Sequence, residues 1–410
     1  MPPVNASAPG AGIAATHRRL LMPVFVPSAL AAFAQQALGV LLPLYFLDVG
    51  MSAGVAAAVF GLRGLGMVLA DVPAGFAVAR LGDRRGIAGG LAGLGAAALA
   101  VGLTVTTPLL AVLMLVYGTS LSVYLLGRLS LVSDTVVLEQ RGRVLSVIAG
   151  IMRLGALAGP LAAGFAAEAL GFARTFQALA VVLFAAALLV LARAPEIGGF
   201  SPHAGPSLGR IRTLLGANLR VFATAGTCAL VLMLMRATRT VIVPLIGASL
   251  GVGVGTIGVL VSVCAAVDLL LFYPAGEAMD RFGRRVTLVP GMTLMGVAFA
   301  GLSFVESLPG LAGAALALGV ANGWTTGVVM TIGTDLAPRE GRREFLGVWR
   351  LWADTGSMLG PFLVAVLIGG AGLPGAAAAV GAIGLAGAAL ALRAVPETAR
   401  HPDSRRRPRR

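Results

Sequence analysis

Along most of the chain, apolar residues come in runs of about 20 or more, separated by short stretches where Arg, Asp, Gly and Pro gather. A helical run of about 20 residues, rising 1.5 Å per residue, crosses the roughly 30 Å hydrocarbon core of a bilayer. The charges and breakers mark out twelve predicted spans: 20–47, 54–79, 86–106, 109–134, 143–167, 174–193, 217–247, 254–279, 286–305, 310–335, 344–369 and 374–393. The longest hydrophilic stretch between spans, 194–216, is rich in Gly, Pro and Ser and falls mid-chain. It reads as a cytoplasmic linker between two six-helix bundles, 20–193 and 217–393. Residues 1–19 are expected to be a disordered N-terminus and 394–410 a basic tail.

Composition agrees. Hydrophobic residues make up 58% of the chain, charged residues 12%, and the mean hydropathy is +0.92, against about 25% charged residues in soluble domains. That excess of apolar surface excludes a soluble enzyme or a secreted domain. The N-terminal segment lacks the charged start and short apolar core of a cleaved signal, so the first span is expected to be retained. Cys228 and Cys264 lie inside spans, and His17, His203 and His401 lie outside them and far apart. No spacing suited to a metal ion or a disulfide results.

The net charge of +14 comes from 31 basic residues, all Arg. Their placement argues against nucleic acid. Twenty-four fall in alternate loops and the two termini, one (Arg174) on the opposite side, and six inside spans. The positive-inside rule then puts both termini in the cytoplasm of a multi-pass protein of the plasma (inner) membrane.

Self-similarity is the sharpest signal. Pro73–Arg84 aligns with Pro274–Arg285 at seven of twelve positions, at an offset of 201. The same offset pairs Pro43 with Pro244, Gly118 with Gly319, Asp134 with Asp335, Arg141 with Arg342, Gly155 with Gly356, Gly159 with Gly360 and Pro160 with Pro361. Charged loop residues match as well as small apolar ones, so this is a repeat and not a compositional echo. Six spans separate equivalent points, so the two halves run in the same sense across the membrane.

These residues carry a resemblance. Gly276, Asp280, Arg281, Gly283, Arg284 and Arg285 are similar to the G-x-x-x-D-R-x-G-R-R loop of the major facilitator superfamily, and Gly75, Arg80, Gly82 and Arg84 to its first-half copy. Gly155, Gly159, Pro160 and Gly164 resemble its helix-5 "antiporter" motif, G-x-x-x-G-P-x-x-G-G. The resemblance implies an all-α fold of twelve transmembrane helices in two pseudo-symmetric six-helix bundles, a drug- or metabolite-efflux-like activity, and loop motifs that gate conformational change. There are departures: Ala79 replaces the first loop's Asp, with an acid displaced to Asp83. Met114 stands where the family carries a helix-4 Arg. Gln35 and Gln36 occupy the region of the helix-1 acid of many drug/proton antiporters.

Ionisable groups inside spans cost roughly 2.5 to 3.5 kcal/mol each and mark function by default. Away from their ends, spans 3, 6, 9 and 12 contain none. Asp71, Asp268 and Asp354 are the candidates for proton coupling, because a desolvated carboxylate takes up a proton more readily. Arg63, Arg153, Arg236 and Arg239, with Gln35, Gln36 and Asn322, are candidates to line a substrate cavity. Arg128 and Arg350 complete the set and read as structural ion-pair partners. Six Arg against three Asp favours an anionic or amphiphilic substrate.

No catalytic constellation and no nucleotide-binding Gly-rich loop is present. The expectation is a monomeric, non-enzymatic secondary transporter with no cofactor, driven by the proton gradient. It would export a small organic molecule by antiport, or alternatively import an organic anion by symport.

Overall fold

The computed structural model describes residues 13–195 and 208–397. Residues 1–12, the middle of the linker and the tail from 398 lie outside them. The described residues are almost wholly helical. In order they form α1 (Ile13–Leu20), a π-turn (Leu21–Phe25), α2 (Val26–Asp48), α3 (Ala53–Leu81), α4 (Asp83–Val101), α5 (Thr107–Thr135), α6 (Leu138–Leu170) and α7 (Phe172–Arg193). There follow α8 (Leu208–Ala217), α9 (Leu219–Val221), a second π-turn (Phe222–Gly226), α10 (Thr227–Ser249), α11 (Val254–Phe282), α12 (Arg285–Leu302), α13 (Leu308–Trp324), α14 (Val328–Leu336) and α15 (Arg342–Ala394).

Among the described residues, ten helices are long and apolar enough to cross a membrane. To these add α4, whose first turn carries Asp83, Arg84 and Arg85, and divide α15 at Gly372, whose φ of 69° and ψ of −178° are not helical. The twelve expected helices result.

Three segment boundaries differ from expectation. Residues 13–19 were expected to be disordered, but the helical run simply continues upstream from α2. Thr16 holds it by donating to Gln140 Oε1 at 2.7 Å. The end of the expected linker winds into α8. The start of the tail is anchored, because Glu397 accepts the backbone N–H groups of Arg284 and Arg285 at 2.7 and 3.1 Å.

The repeat is written into the backbone as well as the side chains. The π-turns at Leu21–Phe25 and Phe222–Gly226 are 201 residues apart. So are three pairs of left-handed glycines that close helices: Gly50 and Gly251, Gly82 and Gly283, Gly171 and Gly372. Any other residue would pay for a positive φ at these turns. Prolines kink matching helices at 43 and 244, 73 and 274, and 160 and 361.

The chain packs as two compact units: Met1–Gly205 with Gly247–Ser262, and Pro206–Ile246 with Val263–Arg410. In the first unit α2 lies against the glycines of α6. A Cβ on Gly155 would come within 2.8 Å of Ala32 backbone, and one on Gly159 within 2.5 Å of Phe33 O. The second unit repeats the seam: a Cβ on Gly356 would meet Leu230 O at 2.1 Å, and one on Gly360 would meet Leu234 O at 2.7 Å. Aromatic clusters fill each unit, Tyr45 with Phe172 and Phe176 in the first, Phe222 with Phe345, Trp349 and Trp352 in the second.

Candidate functional site

The tenth span, expected to be continuous over 310–335, is broken. α13 ends at Trp324, residues 325–327 leave the helical path, and α14 restarts after Gly327, which has a φ of 82°. Inside a membrane a helix end strands carbonyl groups that water cannot reach, and other groups of the protein must satisfy them. Arg236, on α10, does so. Its Nη2 donates to Thr325 O and Thr325 Oγ1, both at 2.8 Å, and to Asn322 O at 3.4 Å. A cation at a helix C-terminus is also favoured by the helix dipole. The hydroxyls of Thr325 and Thr326 each donate to Asn322 O at 3.1 Å.

The same turn carries the acid. Asn322 Nδ2 donates to Asp268 Oδ2 at 2.5 Å, and Thr326 Oγ1 to Asp268 Oδ1 at 3.4 Å. Gly323 allows this closeness, since a Cβ there would lie 3.0 Å from the Asp268 backbone. Three residues named from sequence (Arg236, Asp268 and Asn322) thus form one half-buried network in the second unit. Asn322 joins a cation to an anion that are not themselves bonded to each other.

The other intramembrane charges are placed separately. In the first unit, Asp71 on α3 accepts from Ser122 Oγ on α5 at 2.5 Å. The Arg63 guanidinium stacks over the Phe60 ring, 3.9 Å from its centroid. Arg128 donates to Tyr124 Oη at 3.1 Å, and Arg153 Nη1 to Ala149 O at 3.3 Å. Gln35 and Gln36 are half-buried on α2. In the second unit, Arg350 Nε meets Asp354 Oδ2 at 3.4 Å, four residues along the same helix. Arg239 Nη1 is buried with no hydrogen-bond partner among the described residues.

The loop motifs diverge between units. Arg284 bridges Asp335 at 2.9 Å and reaches Asp280 at 3.7 Å, while Glu277 pairs with Arg281 at 2.7 Å. Arg285 Nε donates to Val395 O at 2.6 Å. In the first unit Arg80 is exposed and Arg84 half-buried, and a Cβ on Gly75 there, or on Gly276 in the second unit, would meet nothing within 4 Å. The helix-5 residues form packing seams: Gly155 and Gly159 face α2, and Gly164 meets Val254, Gly255 and Gly258, which belong to the same unit. Glu168, one turn beyond, accepts the Gly255 N–H at 2.7 Å and so caps the start of α11.

The sequence profile of the Major Facilitator Superfamily matches residues 24–234 and 225–410, which is nearly all of the chain. The chain belongs to the Major Facilitator Superfamily. Curated relatives include the MFS-type transporter ppzB of Metarhizium majus (strain ARSEF 297), 35% identical over 116 residues, or 28% of this chain and 25% of that protein. The same-named protein of Metarhizium rileyi (strain RCEF 4871) is 34% identical over 116 residues, 28% of this chain and 24% of the relative. The chain thus aligns with about a quarter of the length of these relatives. Among solved structures, the nucleoside transporter NupG superposes with a TM-score of 0.73 at 14% identity, covering 92% of this chain and 98% of that one. A POT family transporter in complex with a thioalcohol-conjugated peptide gives 0.73 at 11% identity, covering 90% and 94%. The human organic anion transporter MFSD10 (TETRAN) gives 0.60 at 15% identity, covering 91% and 99%. At such identities the likeness concerns the superfamily fold alone.

Sequence reasoning missed Thr325 and Thr326 as site residues and Gly327 as a break. A signal was present: at offset 201 the first half reads Tyr124-Leu125-Leu126, inside the unbroken α5, where the second reads Thr325-Thr326-Gly327. A left-handed glycine behind two hydroxyl residues, in one superfamily repeat and not the other, marks the half that carries the break.

Proposed function

We propose that this superfamily member is a monomeric secondary active transporter of the plasma membrane, both termini cytoplasmic, which exports a small organic molecule in exchange for protons by alternating access. The proton gradient drives it, without cofactor or nucleotide. The observation that carries the reading is Asp268, held through Asn322 and Thr326 to a broken helix whose carbonyls Arg236 satisfies. Discontinuous helices mark substrate and ion sites in transporters. As a carboxylate, Asp268 accepts both bonds. On protonation it becomes a donor as well, its hold on Asn322 changes, and the broken turn is released. Asp71, under Ser122, and Asp354, beside Arg350, are further protonatable positions; Gln35, Gln36, Arg63, Arg153, Arg239 and Asn322 would line the substrate path. Relatives that are named transporters support this reading.

The second reading is proton-coupled uptake of an organic anion, favoured by the excess of Arg over Asp inside the spans and by Gln35 and Gln36 standing in the region of the helix-1 acid. Proton movement in inverted membrane vesicles separates the two. For antiport, adding an amphiphilic or anionic substrate collapses a preformed pH gradient. If no compound does so, while energised right-side-out vesicles accumulate an organic anion, symport replaces export.

A further inference from the structure

The repeat allows one junction to be compared with itself. In the second unit, Arg284 at the start of α12 pairs with Asp335 near the end of α14, at 2.9 Å. The offset of 201 maps these positions onto Asp83 and Asp134 in the first unit. The acid at the helix end is kept, and the cation facing it is exchanged for a second acid.

That second acid is enclosed. Asp83 is 1% exposed, and neither carboxylate oxygen has a hydrogen-bond partner. Ser130 Oγ, on the neighbouring α5, is likewise buried and unbonded. The packing is close, since a Cβ on Gly127 of α5 would sit 3.2 Å from Ile87 N, one turn beyond Asp83. A buried carboxylate with neither a counter-charge nor a full set of donors is unfavourable, and the economical state is the neutral acid. Asp83 precedes the apolar part of α4. Burial pushes its carboxyl above the ordinary range; the nearby Ser130 hydroxyl, short of hydrogen-bond geometry, tempers the rise, and Asp134 adds to it. Asp83 also opens α4, where the helix dipole favours a negative charge, and burial outweighs that preference. The other charges at this end are Arg84 and Arg85 in the same turn, Arg80 exposed on α3, Arg193 exposed on α7, and on α6 the exposed Glu139 and Arg143 with Arg141, which donates to Ser133 O and Val136 O on either side of Asp134.

We propose that Asp83 is a proton-binding site on the arginine-loop side of the first unit, protonated while α4 packs on α5 and deprotonated as the pH on that side rises. The released charge then repels Asp134 and parts the two helix ends. The site does not depend on the coupling role of Asp268, and its test uses no transport assay.

The sign follows from linkage. A carboxyl raised in the folded state contributes stability that is present at low pH and is lost as pH rises through its folded value. Full-length purified protein, titrated by infrared difference spectroscopy, is expected to lose a protonated-carboxyl band that Asp83→Asn lacks at every pH. The melting temperature of the wild type should fall over the same pH interval, and that of Asp83→Asn should stay flat. Asp134→Asn, at an exposed position, should keep the band but move its midpoint to lower pH. The same band in Asp83→Asn, or an unmoved midpoint in Asp134→Asn, overturns the proposal.

Discussion

Arg236→Ala is expected to abolish substrate movement and to lower thermal stability sharply. The guanidinium supplies three contacts to the break between α13 and α14. Hydrogen bonds to charged groups are worth about 1.5 to 3 kcal/mol each, and a stranded buried carbonyl adds its own desolvation cost. Losing them together removes about 3 to 5 kcal/mol, the scale seen when one member of a buried charged network is deleted. Arg236→Lys should recover only part of the loss, because all three bonds come from Nη2, and a lysine ammonium on its four-carbon stem ends about one bond short of that nitrogen. Arg350→Ala is the control. Its side chain is 60% exposed, so removing that pair should change stability by no more than about 1 kcal/mol. Melting curves in detergent, with substrate counterflow in liposomes, check both. Equal effects at Arg236 and Arg350 would show that the break does not rely on the arginine.

Gly118→Val is expected to remove the folded protein altogether. A Cβ at Gly118 would lie 1.9 Å from Arg63 O and 2.8 Å from Met67 N, both backbone atoms of α3. No rotamer change relieves such a clash, and the helices must separate along a seam that carries Asp71 and Ser122. The cost should reach or exceed about 3 kcal/mol, the upper end of ordinary overpacking. The equivalent Gly319→Val is expected to be milder, because its nearest contact, Cys264 O, is 2.9 Å away. Gly89→Ala meets nothing within 4 Å and should gain up to about 1 kcal/mol of helix propensity. Size-exclusion profiles of solubilised membranes rank the three. Normal yield of Gly118→Val would contradict the packing of α3 on α5.

The fold was legible because its strongest determinants are local and repeated. Lipid requires long apolar helices. One offset of 201 runs through loop charges, prolines and glycines, and it foretells the matched turns at Gly82 and Gly283 and at Gly171 and Gly372. The three helix-5 glycines were also visible, and the structure shows what their smallness permits, which is a close approach to α2 and to the start of α11.

The site was legible only in its parts. Hydropathy singles out Arg236 and Asp268 as anomalies. It does not say that Asn322 joins them, because that depends on the rotation of three helices about their axes. The break at Thr325–Gly327 escaped because threonine is tolerated in apolar helices, and one glycine among 57 is a weak signal. Asp83 read as a displaced loop acid. Its enclosure beneath α5 depends on how far the first turn of α4 sinks among its neighbours, which hydropathy does not encode.

The most direct measurement compares wild type with Asp268→Asn in proteoliposomes of purified protein, following substrate exchange and gradient-driven flux side by side. If Asp268 couples the proton, the variant keeps exchange at equilibrium while its response to an imposed pH gradient falls at least tenfold. If Asp268→Asn still concentrates substrate against the gradient as the wild type does, the network on the broken helix is structural, and the coupling claim is wrong.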